Sequence, residues 1–311
     1  RRDLFRTPFL LRLLIHHIEG GGDPSADPVT LFTSLVRAAL HREVMSENVR
    51  FQTDDLLTER DRRRIVQGRA WANPHALPDE GRLIPSLARL AYGMQAGRGG
   101  VEGAHVRVGY DQARALMDPH VLPSADTVLR AGIDLGVLDE DGSGEEVLFH
   151  HQLIQEYFAA RLFAAAPDVD RVRVAIRADE IQPSLDETLS GLAIADPLPP
   201  PPGTVWDQTV LMAAVLTRAP DVLIPDLAVR NPVLAGRASA QAACGVSEVV
   251  KESLRWRLVE TSRNPEVDLR VRIAAGLALG ELGDPRFTRG VGPEGHAYLL
   301  PPFIEIPAGT Y

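Results

Sequence analysis

Apolar positions in the first part of the chain recur at a helical period. Leu31, Phe32, Leu35, Val36, Ala39 and Leu40 follow i, i+1, i+4, i+5, i+8, i+9 spacing, one broad stripe that predicts a helix over residues 28–45. Ahead of it, Thr7-Pro8 opens a shorter helix, with Thr as a cap and Pro at the first helical position, and Gly20-Gly21-Gly22 stops it. Residues 46–81 lose the period, turn polar and Arg/Asp-rich, and contain Pro74 and Pro78. They predict a surface connection with at most one short helix.

Periodicity returns at residue 82. Leu83, Leu87, Leu90 and Met94 mark one helix, residues 111–117 a second, and Ser124 caps a third whose Val128, Leu129 and Ile133 face inward. The apolar runs Val137-Leu138 and Val147-Leu148-Phe149 flank the acidic, Gly-bearing turn Asp139-Glu140-Asp141-Gly142-Ser143-Gly144, a hairpin signal. A helix over 151–165 follows. Three helices and then a hairpin is the winged-helix order. The third helix offers Arg130 against Asp126 and Asp134, and the wing is acidic. A phosphate backbone needs the opposite sign, so direct nucleic-acid binding is not expected and a protein-packing role is favoured.

Residues 167–204 are irregular and end in Pro197-Leu198-Pro199-Pro200-Pro201-Pro202-Gly203, a stiff extended spacer between packed units. Beyond Trp206 the chain is helical and repetitive. Asn231-Pro232 recurs as Asn264-Pro265 and Arg237 as Arg270, both 33 positions on, each Arg preceding an Ala-rich helix (238–243 and 273–280). A fixed period of this length predicts stacked helix pairs, and Leu279-Gly280-Glu281-Leu282-Gly283-Asp284-Pro285 looks like a HEAT-repeat terminus. The last nine residues alternate and predict one strand.

Composition adds limits. Hydrophobic residues are 45% and charged residues 24%, enough for buried cores, while aromatics at 5% favour helix over sheet. The formal charge of −9 comes with no basic arm. A lone cysteine, Cys244, forms no internal disulfide or thiolate zinc site and reads as a small core residue in a reducing, cytoplasmic setting. The apolar run 9–15 is too short to span a bilayer and contains Arg12, so no membrane association is expected. Position 1 is not Met, which suggests a chain begun partway.

No complete catalytic motif is found. Gly97-Arg98-Gly99-Gly100 lacks the lysine of a phosphate-cradling loop, and neither a G-x-S-x-G elbow nor an H-E-x-x-H zinc pair occurs. The adjacent pairs His16-His17 and His150-His151 are not natural chelates. No metal site and no catalytic residue is assigned.

The run Phe149-His150-His151-Gln152-Leu153-Ile154-Gln155-Glu156-Tyr157-Phe158-Ala159-Ala160-Arg161 resembles the F-x-H-x-x-x-Q-E-Y-F-A-A-R signature that closes the winged-helix domain of NACHT-type STAND NTPases. Arg6-Thr7-Pro8-Phe9-Leu10-Leu11 resembles the N-P-x-L-L opening of the helical domain after the ATPase core, with Thr7 where Asn is common. Stretches 31–43 and 87–95 are similar to members that join this core to HEAT repeats. The final residues 303–311 resemble the opening strand of the formylglycine-generating (sulfatase-modifying) domain family.

The resemblance implies a mainly α chain: a helical domain (1–81), a winged-helix domain (82–166), an irregular Pro-rich linker (167–204), HEAT-like repeats (205–290), and a linker with the first strand of a sulfatase-modifying-like domain (291–311). It implies ATP or ADP with Mg as cofactor, bound by an upstream ATPase core in cis and not by this chain alone. Pro8 would pack near the adenine, and His151 would reach the ADP β-phosphate. Further implications are a protein ligand on the repeats and a homo-oligomer on activation, in signalling or antiphage defence. Gln155, Glu156 and Tyr157 read as structural, with Tyr157 on the apolar face, and Arg161 as pairing with a carboxylate. The alternative is a scaffold or targeting region of a formylglycine-generating type enzyme.

Overall fold

The computed structural model describes residues 8–68, 71, 73–97, 107–117, 124–193 and 195–303. The chain is mainly α and divides into two compact units: residues 1–172 with 203–220, and residues 173–202 with 221–311.

The first unit starts with α1 (Pro8–Glu19) and α2 (Pro28–Met45), the second matching the apolar stripe. Asp27 caps α2 and Pro28 follows at the first helical position. Thr7, the expected cap of α1, lies outside the described residues. Residues 46–81 differ from the expected surface connection. A 3-10 turn (Val49–Gln52) and α3 (Glu59–Gln67) bury Phe51, Leu56, Leu57, Ile65 and Leu77. These apolar residues are too widely spaced to show a period, so their burial depends on tertiary contacts. A Thr58/Asp61 capping box starts α3, and Gly68 at φ 61° ends it.

Next come α4 (Leu83–Ala96), β1 (Val108–Gly109), α5 (Tyr110–Leu116), α6 (Ala125–Asp134), β2 (Leu138–Glu140), β3 (Glu146–Phe149) and α7 (Gln152–Ala165). The strands form one antiparallel sheet in the order β1-β3-β2, with Val108 opposite Val147 and Leu138 opposite Phe149. Strand β1, too short to alternate, is an addition to the sequence reading. Asp139 and Glu140, expected in the turn, belong to β2. Between β2 and β3, Asp141 accepts the backbone N–H groups of Glu145 and Glu146.

After a 3-10 turn (Val169–Val172) the chain leaves the first unit, returning at Gly203 to form α9 (Asp207–Leu216). That helix was expected to open the repeats, but it packs on α7. Trp206 lies 4.8 Å from Tyr92 and 6.3 Å from Phe163, and the Gln95 amide bonds Val205 O and Thr209 Oγ1. Burying the indole and satisfying this amide bind the segment to the first unit.

The second unit contains α8 (Leu185–Ser190), α10 (Pro220–Arg230), α11 (Pro232–Ser239), α12 (Glu248–Arg263) and α13 (Leu269–Leu282), then a hairpin of β4 (Thr288–Val291) and β5 (Ala297–Leu300) that the sequence did not announce. Helices α11, α12 and α13 pack together. A Cβ on Gly236 would meet Leu258 Cδ1 at 2.9 Å and Ala278 Cβ at 3.0 Å, so the missing side chain sets that closeness. Residues 173–190, read as part of a spacer, form a layer on α13. Ala178 N–H donates to Glu266 O, Asp268 N–H donates to Ile176 O, and Ile181 joins Val267 and Val271 in a buried cluster.

The two Asn-Pro pairs serve different roles. Asn231 caps α11 through Leu234 N–H, whereas Asn264 ends α12 and α13 starts only after Asp268. Accordingly Arg237 lies in the last turn of α11 and Arg270 in the first turn of α13. The Ala-rich stretch 238–243, expected as a helix, instead leaves α11 after Ser239 and enters the 3-10 turn Ala242–Cys244, where Cys244 is buried. The expected terminal strand falls almost wholly outside the described residues.

Candidate functional site

The site forms where the starts of α1, α2 and α7 converge within the first unit. Pro8 opens α1 and is exposed; Phe9, next to it, is half-buried. His151 directly precedes α7 in extended backbone and acts as its cap: Nδ1 accepts the Leu153 N–H at 3.1 Å. Accepting at Nδ1 places the neutral ring's proton on Nε2. The Phe9 ring lies flat on the imidazole, with centroids 4.1 Å apart and planes 8° apart. Of the two residues singled out by resemblance, His151 therefore meets the chain neighbour of Pro8, Phe9.

Behind this pair the rings continue inward. Phe9 lies 6.2 Å from Phe32 on α2, and Phe32 lies 5.4 Å from Tyr157 on α7. Tyr157 is fully buried. Thr33 Oγ1 donates to Val29 O at 2.7 Å, so at its 2.9 Å contact with Tyr157 the phenol donates. Arg161 donates in turn to the Tyr157 oxygen at 3.1 Å. Arg161 was expected to meet a carboxylate; its other partner is instead the carbonyl of His75. Gln155 and Glu156 are buried, and Gln152 Nε2 donates to Glu156 Oε1 at 2.8 Å, in keeping with a structural part.

A second arginine binds the same loop. Arg37 Nε donates to Ala76 O and Nη2 to Asn73 O, both at 3.0 Å, while the guanidinium lies 4.4 Å from the Trp71 ring. Burial, opposed by Tyr157 and reinforced by Arg161, draws Arg37 down to about 10, so it keeps its charge at neutral pH. Two arginines from α2 and α7 therefore strap residues 73–76 across both helices. Long-range carbonyl acceptors carry no sequence signal, so this strap could not be read beforehand.

Asp27 completes the loop attachment. Oδ1 accepts Val29 and Thr30 N–H, Oδ2 accepts Thr30 Oγ1 at 2.7 Å, and His75 Nε2 stands 3.5 Å from Oδ2. Burial pushes this carboxyl up, but hydrogen bonds from His75 and Thr30 prevail and hold it at about 2, below 3.8. A depressed carboxylate stabilises the fold above its unfolded pKa, and that contribution disappears as pH falls through the folded value. The first unit is therefore expected to lose stability between about pH 4 and pH 2, with Asp27→Asn flattening that part of the curve. Acid titration of thermal midpoints for both chains measures this.

On the α6 face, Arg114 pairs with Asp111 and Asp126, Arg130 with Glu140, and Asp134 with Arg50. Tyr110 also bonds Glu140, and burial followed by that bond pushes its phenol up to about 12. The cations lining the open cavity of about 730 Å³ between Tyr110, Arg114, Arg130 and Glu145 are thus matched by carboxylates. Among the described residues, no group of three His, Cys, Asp or Glu could hold a metal ion, and no helix is long and apolar enough to cross a membrane. Comparison of the chain with protein-family models, with curated proteins and with solved structures finds no match.

Proposed function

We propose that this chain is the nucleotide-state-sensing part of a NACHT-type STAND ATPase, in which His151 and the Pro8-Phe9 opening of α1 fold over a nucleoside diphosphate. The observation that carries the reading is the stacked Phe9–His151 pair. It brings Phe9, the chain neighbour of the residue that the resemblance assigns to the adenine, against the residue that it assigns to the β-phosphate. The site also fits a diphosphate chemically. Nδ1 accepts the Leu153 N–H, which puts the neutral ring's proton on Nε2, and the imidazole stands at the N-terminus of α7, where the helix dipole favours negative charge. A hydrogen bond from Nε2–H to a phosphate oxygen draws strength from the anion's charge.

ATP or ADP with Mg would be held chiefly by an upstream ATPase core in cis, with metal ligands supplied by that core. The outward face of α1 supports such a neighbour. Leu10, Leu13 and Leu14 are buried, yet Leu11, Ile15 and Ile18 also form an apolar stripe, 37–49% exposed, starting one turn from Pro8. The order α4-β1-α5-α6-β2-β3, with β3 central, supports a winged-helix domain, and its paired charges favour packing on protein over nucleic acid. The packing of α11, α12 and α13 on one another supports HEAT-like repeats that bind a protein ligand. That ligand acts by favouring the open form, and a full population change needs about 5.5 kcal/mol of differential binding. The setting is cytoplasmic signalling, with a homo-oligomer as the activated form.

His151 stabilises the closed, ADP-bound state and moves no proton in a reaction. With the chain joined to its ATPase core, His151→Ala is expected to shorten ADP retention about tenfold, the effect of one charge-assisted bond. Retention is read by release of a fluorescent ADP analogue. Release rates equal to wild type would remove His151 from the mechanism.

A further inference from the structure

We infer that the outer face of α13 is a self-complementary surface through which two copies of this chain pair, helix against helix and antiparallel. The inference rests on the second unit alone and is independent of the nucleotide reading.

Helix α13 is apolar on two sides. Val271, Ala275, Ala278, Leu279 and Leu282 are buried within the unit. On the other side Leu269, Ile273 and Leu277 follow i, i+4, i+8 spacing and are exposed, Ile273 by 47% and Leu277 by 69%. A helix that is apolar all round belongs in an interior, and an exposed apolar stripe marks a contact surface. Gly276 and Gly280 are exposed on α13 as well, and a Cβ on either would meet nothing within 4 Å. Glycine weakens a helix relative to alanine, and no contact among the described residues requires either one. Gly236 shows what such a residue does when it is used: its missing side chain lets α11 approach Leu258 and Ala278. Gly276 and Gly280 offer the same close approach to a helix that comes from outside.

That helix needs small residues opposite Ile273 and Leu277 and large ones opposite the two glycines. Helix α13 itself meets both demands. Pairing two copies antiparallel about a two-fold axis midway between Gly276 and Leu277 sets Ile273 opposite Gly280 of the second copy. It also sets Leu277 opposite Gly276 of the second copy, and the reciprocal contacts close the pair. Moving the register by about one helical turn sets Ile273 against Leu277, large on large. The open groove of about 730 Å³ lined by Gly276, Gly280, Phe287 and Leu299 gives the incoming side chains room. In that groove Arg255 pairs with Glu248 and Glu252, Arg286 pairs with Asp284, and Arg289 is exposed. An apolar helix therefore strands none of the paired charges. A contact this short lies at the small end for interfaces, so the dimer is expected to be weak and concentration-dependent.

Sedimentation equilibrium of the 311-residue chain is expected to show monomer and dimer exchanging at micromolar concentrations. Leu277→Glu, at an exposed position, should raise the dissociation constant by about tenfold or more. Gly276→Ala combined with Gly280→Ala should do the same, with the thermal midpoint of the dilute chain no lower than wild type. A midpoint that falls would show that the glycines serve the fold, and overturns the inference. Either variant dimerising like wild type overturns it, as does a wild-type chain that stays monomeric, which leaves the face to a different protein. The register has its own test. Under mild oxidation Ile273→Cys mixed with Gly280→Cys should form a disulfide-linked dimer, and each variant alone should not, with wild type and its buried Cys244 as the control. Crosslinking as strong in the unmixed samples overturns the antiparallel pairing.

Discussion

Arg270→Met is expected to destabilise the second unit by about 3–5 kcal/mol, the cost of leaving a buried carboxylate unpaired. Arg270 and Asp268 are 3% and 1% exposed. Arg270 Nε and Nη2 bond the two Asp268 oxygens at 3.0 and 2.9 Å. The guanidinium also donates to Pro183 O and Thr188 Oγ1, fastening residues 183–188 to the start of α13. Asp268 caps that helix through Arg270 N–H at 2.8 Å. Methionine keeps the stem but removes both guanidinium donors to the carboxylate, leaving it only backbone N–H groups. Adding Asp268→Asn keeps a cap acceptor and removes the stranded charge, so the double variant should be more stable than Arg270→Met alone. The Arg270 bonds, working against burial, hold the Asp268 carboxyl below the usual carboxylate range. This contribution is therefore present above the unfolded pKa and is lost as pH falls through the depressed folded value. Urea unfolding with hydrogen exchange on the α13 amides measures these effects. A single variant within about 0.5 kcal/mol of wild type would show that the pair is dispensable, an outcome outside the expected range for a buried ion pair.

Tyr157→Ala is expected to cost about 3–5 kcal/mol in the first unit, as deletion of a large buried aromatic does. The phenol lies between Phe32 and Phe158, and its oxygen links Thr33 to Arg161. Tyr157→Phe retains the ring but takes the donor from Thr33 Oγ1 and the acceptor from Arg161, for about 1–2 kcal/mol. The alanine variant should also disturb the site, because Phe32 would lose the ring behind it and Phe9 its backing. Thermal melts of both variants separate the packed ring from the hydroxyl. Equal losses for Phe and Ala would mean that the hydroxyl network, rather than the packed ring, holds α2 to α7.

Where a residue's role is fixed by its near neighbours in sequence, the sequence revealed it. The α2 stripe, the Ser124 cap, the turn after β2 and the position of His151 before α7 were legible because each depends on a few adjacent positions. Pro8 and His151 were legible for another reason: they belong to motifs that resemble a known family. Their neighbour Phe9 was not singled out, since within the run 9–15 a ring that stacks looks like one that fills space. Arg161 was expected to meet a carboxylate and found a carbonyl, an acceptor that every residue carries and no sequence pattern advertises.

The sequence alone therefore determined the helical class, the limits of α1, α2, α5 and α7 to within a residue, and the central hairpin. These follow from periodicity, caps and turn chemistry, which act over a few residues. Tertiary structure alone decided that α9 returns to the first unit, that residues 173–190 form a layer on α13, and that residues 46–81 carry part of a core. It also decided that Phe9 lies on His151. Each of these depends on burying apolar surface or satisfying buried polar groups against residues distant in sequence. Such partners are chosen by packing, which has no period along the chain.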